Sequence, residues 1–167
     1  MITHFSPFTG LFMSNVDLKE NDRRILRELQ RDATLSLKAL AEKISMSASS
    51  VWRRIQDLEA AGVITGRVTL IDPLKAGLRV CVLIQVNIVE HKSDVREAFE
   101  RFVAGSDEVL QCFAITGSHD YALIVRTRTV EDYEHFLMNK LLAHPSVAST
   151  ATQLVLRQHK GSSVLPI

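Results

Sequence analysis

The chain lacks the features that mark secreted, disulfide-linked or membrane-spanning proteins. It has only two cysteines, Cys81 and Cys112, and both lie in apolar stretches that are typical of buried small side chains. No run approaches the roughly 18 consecutive apolar residues of a membrane span. Residues 1–15 contain no Lys or Arg, although a secretory signal needs a basic start. We therefore expect a cytoplasmic protein without a disulfide framework or a membrane segment.

An excess of charge of one sign is also lacking. Lys and Arg total 20 against 19 Asp and Glu, so the formal net charge is only +1. This balance gives no indication of a nucleic-acid partner, and a basic surface has to come from the placement of charges. Hydrophobic residues make up 46% of the 167 residues, which is enough for the packed cores of one large or two small domains.

Signs of catalytic or metal chemistry are few. There is no glycine-rich phosphate loop, and the histidines have neither the spacing nor the nearby cysteines of a zinc site. Ser118, His119 and Asp120 suggest a hydrolase triad, but consecutive strand residues point to opposite faces and should not converge. We expect no cofactor, no metal and no catalytic residue.

Residues 16–72 contain the start and end signals of three short helices. Asp17 to Glu20 is similar to a capping box, Ser36 and Ser47 can cap a second and a third helix, and Gly62 tolerates the left-handed end of the third. Apolar residues recur with helical spacing in each segment. The inward-facing residues are expected to be Leu18, Ile25, Leu26 and Leu29, then Leu37, Leu40, Ala41 and Ile44, then Val51, Ile55 and Leu58. Residues 63–71 are β-branched and predict a strand or wing that ends at Asp72-Pro73.

The second half alternates strands and helices. Strands are predicted at 80–89, 109–116, 121–127 and 147–156, and helices at 93–104 and from Thr129 to about Ala143. The order βαββαβ predicts a ferredoxin-like domain. Both helices would cover one face of the small sheet, and the bare face calls for a partner, which favours a dimer. The fold class is α+β, with an extension at 1–15, a winged helix-turn-helix at 16–72 and the ferredoxin-like domain at 73–167.

The third helix is the candidate DNA reader. Two short helices separated by a tight turn have the spacing of a helix-turn-helix, whose second helix enters the major groove of double-stranded DNA. Short serines suit phosphates, and arginines suit guanine edges or phosphates. The candidate DNA-binding residues are Ser47, Ala48, Ser49, Ser50, Arg53 and Arg54. The alternative is a plain three-helix bundle with a solvated Arg pair. Trp52 could lie against DNA, although packing between helix and wing is favoured.

Several stretches together resemble the Lrp/AsnC family of leucine-responsive and asparagine-related regulators. They are residues 22–32 (DRRILRELQRD), 47–59 (SASSVWRRIQDLE), 62–66 (GVITG) with Asp72-Pro73, and 115–123 (ITGSHDYAL). The resemblance covers about residues 16–160 and implies a DNA-binding domain plus an effector domain. It also implies homodimers, and often tetramers or octamers.

The resemblance further implies an effector pocket where effector domains of neighbouring subunits meet. The matching positions are Gly117, Ser118, His119, Asp120, Tyr121, Thr150 and Thr152. An amino-acid effector suits them, because Asp120 offers a negative partner for the ammonium and free amides at the Gly117 turn can receive the carboxylate. The hydroxyls of Thr150 and Thr152 should share one strand face. Alternatively, Asp120 is only a turn residue that bonds its own backbone.

Two other functions compete with transcription regulation. Sirohaem decarboxylases share this two-domain layout, but they look to depend on a His-Tyr stretch among basic residues that is absent here. A stand-alone effector-domain protein would not need the helix-turn-helix. We therefore predict a sequence-specific regulator that responds to a small molecule, with an amino acid as the expected effector.

Overall fold

The described part of the chain, residues 16–167 of a computed structural model, forms two compact units. The first contains residues 16–69 and 159–167, and the second contains Leu70–Gln158. The predicted N-terminal extension, 1–15, lies outside the described residues. The second unit therefore begins three residues before the predicted boundary at Pro73.

Three helices build the first unit: α1 (Glu20–Arg31), α2 (Leu37–Lys43) and α3 (Ala48–Ala60). The predicted serine caps are confirmed, since Ser36 Oγ accepts from the amide of Ala39 and Ser47 Oγ from that of Ser50, each at 3.2 Å. Gly62 has a φ of +70° and ends α3 as expected. The predicted apolar stripes meet in one core, whose buried members are Ile25, Leu26, Leu40, Ala41, Ile44, Val51, Ile55 and Leu58.

The start of α1 differs from the prediction. The helix begins at Glu20, not at Asp17, and the capping acid is Asp22, whose Oδ2 accepts from the amide of Lys19 at 3.0 Å. An acid in the third helical position reaches back to the residue before the helix, which satisfies an amide that has no partner within the helix. Position 17 lies too early for this contact.

The predicted strand at 63–71 is absent. Within residues 16–167 this segment pairs with no other strand, and Val68, Leu70 and Ile71 are highly exposed. A strand needs a ladder of hydrogen bonds with a neighbour, and β-branched composition cannot supply that neighbour. Only Val63 and Ile64 pack, against the helical core.

The C-terminal segment 159–167 belongs to the first unit, whereas the sequence predicts a ferredoxin-like domain that runs from 73 to 167. It lies along α1. The main-chain amide of Leu165 donates to Gln30 Oε1 at 2.6 Å, Arg27 Nε donates to the Ile167 carbonyl at 2.6 Å, and Ile167 packs on the helical core.

The second unit has the predicted βαββαβ order. Its elements are β1 (Val80–Ile88), α4 (Ser93–Ala104), β2 (Val109–Ala114), β3 (Tyr121–Thr127), α5 (Val130–His135), a π-helical continuation (Phe136–Leu141) and β4 (Val147–Leu154). The antiparallel sheet has the order β2-β3-β1-β4, the ferredoxin-like arrangement. The helix begins with its cap at Thr129 as predicted, where Thr129 and Asp132 form a reciprocal cap of α5, at 3.1 and 3.2 Å.

The two faces of this sheet differ. On one face, alternate strand residues meet α4 and the π-helical segment in a second core that includes Ile84, Val86, Phe99, Leu123 and Phe136. The residues of the open face follow from the register: Cys81, Leu83, Gln85 and Asn87 of β1, Gln111 and Phe113 of β2, Ala122, Ile124 and Arg126 of β3, and Ser149, Ala151 and Gln153 of β4. Leu83 and Phe113 there are about two-fifths exposed, at 40% and 41%.

Both cysteines are free and half-buried, in line with the expected small apolar side chains. Burial raises the pKa of the Cys112 thiol to about 11, so this thiol stays protonated. A helix long and apolar enough to cross a membrane does not occur among residues 16–167.

Candidate DNA-binding and effector sites

The N-terminal half of α3 presents short polar side chains to solvent. Residues 47–50 are exposed, and the first turn of α3 contains no acidic residue. Ser47 Oγ also meets Ser50 Oγ at 2.8 Å and Ser49 Oγ at 3.2 Å. The free amides and positive dipole of a helix N-terminus favour a phosphate. This surface therefore has the chemistry that a phosphate-contacting helix end requires.

The two arginines of α3 have different environments, contrary to the expectation that both face outward. Arg53 is exposed and has no ion-pair partner in the described chain. Arg54 is half-buried, and its Nη1 donates to Asp22 Oδ1 on α1 at 2.7 Å. Helical geometry explains the difference, because Arg54 adjoins the buried Ile55 and lies three positions after the buried Val51.

Trp52 does not pack between helix and wing. Its side chain is 56% exposed, since the segment after Gly62 forms no strand that could cover it. The expectation of a buried Trp52 is therefore wrong for this structure, and its ring adds an apolar surface beside Arg53.

The proposed effector residues on the β2–β3 hairpin come together, but with different exposures. Gly117 has a φ of +118°, a left-handed conformation that favours glycine. Ser118 is exposed and its Oγ lies 3.0 Å from His119 Nδ1. The two side chains meet because they lie in a turn, so the argument from alternating strand faces does not hold for them. The Asp120 carboxylate takes no part in this contact and points towards β1.

Asp120 ties the hairpin to β1. Its Oδ2 accepts from the amide of Ile88 at 2.9 Å, and its Oδ1 lies 3.6 Å from His91 Nδ1. Its main-chain amide donates to the Val86 carbonyl at 3.0 Å. The alternative of a turn residue that bonds its own backbone is therefore wrong. The carboxylate bonds a different strand and keeps further acceptor positions for a ligand.

Tyr121 is buried, and its hydroxyl is engaged in a hydrogen bond. Its ring packs against Phe99 with 4.7 Å between centroids, and its hydroxyl donates to Glu100 Oε1 at 2.9 Å. Burial, reinforced by this hydrogen bond, raises the pKa of Tyr121 well above its ordinary value. This hydrogen bond ties the start of β3 to Glu100 of α4.

A cavity of about 420 Å³ opens between the hairpin and the start of α4. Its polar lining consists of His91, Ser93, Arg96, Glu97, Glu100, Asp120 and Tyr121. Arg96 brings a guanidinium to the same cavity as the carboxylates of Glu97, Glu100 and Asp120, so the lining offers both signs of charge that a zwitterion needs. The sequence analysis did not identify the cavity residues of α4 and of the segment that precedes it. Only the fold places these residues opposite the hairpin, and their spacing in the sequence does not indicate it.

Thr150 and Thr152 lie elsewhere on the sheet. Their partners on β1 are Val86 and Ile84, so the two hydroxyls share one face, as predicted. Thr150 and Tyr121 both pair with Val86 from opposite sides. They are therefore two strand spacings apart, roughly 9–10 Å. Neither threonine lines the cavity.

Known proteins share both units. The sequence profile described as winged helix-turn-helix DNA-binding matches residues 18–65, and that described as Lrp/AsnC ligand binding domain matches residues 81–165. Together they define a DNA-binding transcription regulator with a ligand-binding domain, not an enzyme. The chain belongs to the Lrp/AsnC family.

Individual relatives cover nearly the whole chain. The glutamate uptake regulatory protein of Zymomonas mobilis is 36% identical over 90% of this chain and 91% of its own length. The DNA-binding transcriptional activator DecR of Escherichia coli is 31% identical over 90% and 99%. A Neisseria meningitidis transcriptional regulator, solved as a complex with L-methionine, matches with a TM-score of 0.85 and 34% identity over 89% and 96%.

Proposed function

We propose that this regulator binds operator DNA through the N-terminal half of α3 and responds to an amino acid held at the Gly117–Tyr121 hairpin. The observation that carries the effector proposal is the cavity in which Arg96 and Asp120 offer opposite charges. The L-methionine complex of the related Neisseria regulator supports an amino acid as the ligand class.

For DNA, the exposed residues Ser47, Ala48, Ser49 and Ser50 form the proposed contact surface together with Arg53. The serines and the helix end would contact phosphates and fix the register of the helix, and Arg53 would contact a base edge or a phosphate. The placement of charge along α3 favours this direction of entry, because Asp57 and Glu59 follow the contact surface and do not precede it.

For the effector, Asp120 would pair with the ammonium and Arg96 with the carboxylate. Ser118 and His119 lie in the hairpin turn next to Asp120 but do not line the cavity. Thr150 and Thr152 are too far along the sheet to complete this cavity from within one chain. We propose that a neighbouring subunit supplies them, as the family resemblance implies, so that the binding site joins subunits of a homodimer or a larger oligomer.

The test is calorimetric titration of the parent and of Asp120→Asn with each of the common amino acids. Asparagine keeps an oxygen for the Ile88 amide but removes the charge. A carboxylate–ammonium hydrogen bond is worth about 1.5–3 kcal/mol, so we expect affinity to fall by roughly ten- to a hundredfold.

The matched control is Asp107→Asn, because Asp107 does not line the cavity. It should bind the ligand like the parent. Both variants should retain operator binding, since the substitutions lie in the other unit from α3. Unchanged ligand affinity in Asp120→Asn would place the effector elsewhere.

A further inference from the structure

The Asp22 carboxylate makes two contacts: it caps the start of α1 and pairs with Arg54 of α3. Asp22 Oδ2 caps the start of α1 by accepting from the Lys19 amide at 3.0 Å, and its Oδ1 accepts from Arg54 of α3 at 2.7 Å. Both oxygens are therefore engaged, each with a partner from a different helix segment. The side chains of Arg54 and Asp22 are only 28% and 13% exposed, so water screens this pair less than the exposed ion pairs of the same unit.

The other contacts that hold α3 against α1 and α2 are less directional. Its buried side chains, Val51, Ile55 and Leu58, pack in the apolar core, and apolar burial stabilises a range of small rotations almost equally. A charge-assisted hydrogen bond from a guanidinium has a defined distance and direction. The Asp22–Arg54 pair therefore restricts how α3 rotates and tilts against α1.

Such a restriction matters because DNA readout depends on geometry. Base contacts need several side chains of one helix to reach their partners at the same time. Arg53, the neighbour of Arg54, is exposed and without an ion-pair partner in residues 16–167. One arginine of this dipeptide is thus available to DNA, whereas the other is committed to the helix–helix contact.

We propose that Asp22 and Arg54 are positioning residues that hold α3 in its DNA-binding orientation, and that Arg54 does not contact DNA. The inference rests on the proposal that α3 enters the groove. It replaces the expectation that Arg54 contacts DNA. It also means that Asp22, although acidic, favours DNA binding, because it orients α3.

The direction in which Asp22→Asn changes DNA affinity distinguishes the two possible roles of Arg54. Asp22→Asn keeps an oxygen for the Lys19 amide but removes the charge that holds Arg54. If Arg54 is a positioning residue, Asp22→Asn weakens DNA binding, by about tenfold for a coupled contact of this kind. If Arg54 contacts DNA, the same substitution frees a cation and removes an anion, so binding strengthens or stays the same.

The experiment measures affinity over a range of salt concentrations for a duplex that the parent protein selects from a random-sequence library. Arg53→Ala should lower the slope of log K against log salt by about 0.9 for each phosphate that the variant no longer neutralises. Arg54→Gln should weaken binding about as much as Asp22→Asn and leave the slope at the parent's value. The double variant, Asp22→Asn with Arg54→Gln, should be no weaker than either single variant, because both remove the same interaction.

Arg54→Lys keeps the charge but not the planar fork, which guards against variants that fail to fold. For a positioning residue it gives binding between those of the parent and Arg54→Gln. Thermal melts of each variant give the unfolded fraction at the assay temperature. The loss of affinity has to be larger than this unfolded fraction alone would cause. A lower salt slope in Arg54→Gln, or unchanged or tighter binding in Asp22→Asn, would overturn the inference. If Arg53→Ala keeps the affinity and the salt slope of the parent while the Asp22 and Arg54 variants behave as expected, Arg53 is rejected as the contact residue.

Discussion

His144 shows what a single side chain can contribute in the second unit. Its ring stacks on Phe102 with 4.7 Å between centroids, and its Nδ1 accepts from the amide of Ser146 at 3.2 Å. Burial lowers the pKa of His144. The folded protein therefore favours the neutral ring, whose Nδ1 carries no proton and can accept the hydrogen bond.

Stability should consequently fall in acid. Because the pKa of His144 is lower in the folded than in the unfolded state, the unfolded chain binds more protons as pH drops through the ordinary histidine range. We expect the melting temperature to fall between about pH 7.5 and about pH 5.5, with a smaller fall in His144→Phe, which keeps the aromatic stacking but does not titrate. Equal pH dependence in the parent and His144→Phe, measured by calorimetry, would contradict this role.

At the same scale, residue type and spacing identified candidates but not their contacts. Arg53 and Arg54 are identical in type and adjacent, yet one is exposed and the other is paired with a residue 32 positions away. Asp120 likewise bonds Ile88, also 32 positions away. Contacts over such separations depend on which elements the fold places side by side, and a local pattern contains no information about that.

Among the elements, the capped helices and the alternating strands were the most predictable. Ser36, Ser47 and Thr129 cap the helices predicted to begin at them, because their bonds run only three residues along the chain. The segment 63–71 was the least predictable. Its β-branched residues favour extended backbone, but a strand also requires a partner, and the described chain supplies none.

The C-terminal segment is the element whose role the sequence did not indicate. Gln30 is its main polar anchor, since its side-chain amide forms two hydrogen bonds with the main chain of Leu165, at 2.6 and 3.4 Å. Gln30→Ala should lower the stability of the first unit by about 1 kcal/mol, the net value of a hydrogen bond. Hydrogen exchange of the α1 amides should become faster, because the segment covers that helix.

Gln56→Ala is the matched control for this prediction. Gln56 is exposed on α3 and its amide bonds Glu59, three residues on in the same helix. Its removal should change stability by no more than about 0.5 kcal/mol. If Gln30→Ala is equally neutral, the C-terminal segment does not stabilise the first unit.

For the whole molecule, the open face of the sheet predicts assembly. It carries Leu83 and Phe113 at 40% and 41% exposure, with Ala122, Ile124 and Ala151 as smaller apolar neighbours. Phe113→Glu should place a charge on this face and shift the protein towards the mass of one chain, 18.7 kDa. Light scattering after size-exclusion chromatography measures the change, because burial of an unpaired charge opposes association.

Met138→Glu is the control for assembly. Met138 is also exposed, at 55%, but it lies on the π-helical segment on the opposite side of the sheet. It should leave the mass of the assembly unchanged. A parent protein with the mass of a single chain at micromolar concentration would refute the predicted dimer outright, and loss of assembly in Met138→Glu alone would move the interface to the helical face.

The sequence by itself determined the helix-turn-helix, the βαββαβ order and the exposure of residues 47–50 and Arg53 on α3. These features depend on periodicity and on caps within one element, so neighbouring residues suffice to specify them. The tertiary structure alone decided that Arg54 pairs with Asp22, that α4 brings Arg96 to the same cavity as Asp120, and that residues 159–167 pack on α1. Each of these contacts joins distant parts of the chain, and the balance of burial and hydrogen bonding across the whole fold selects them.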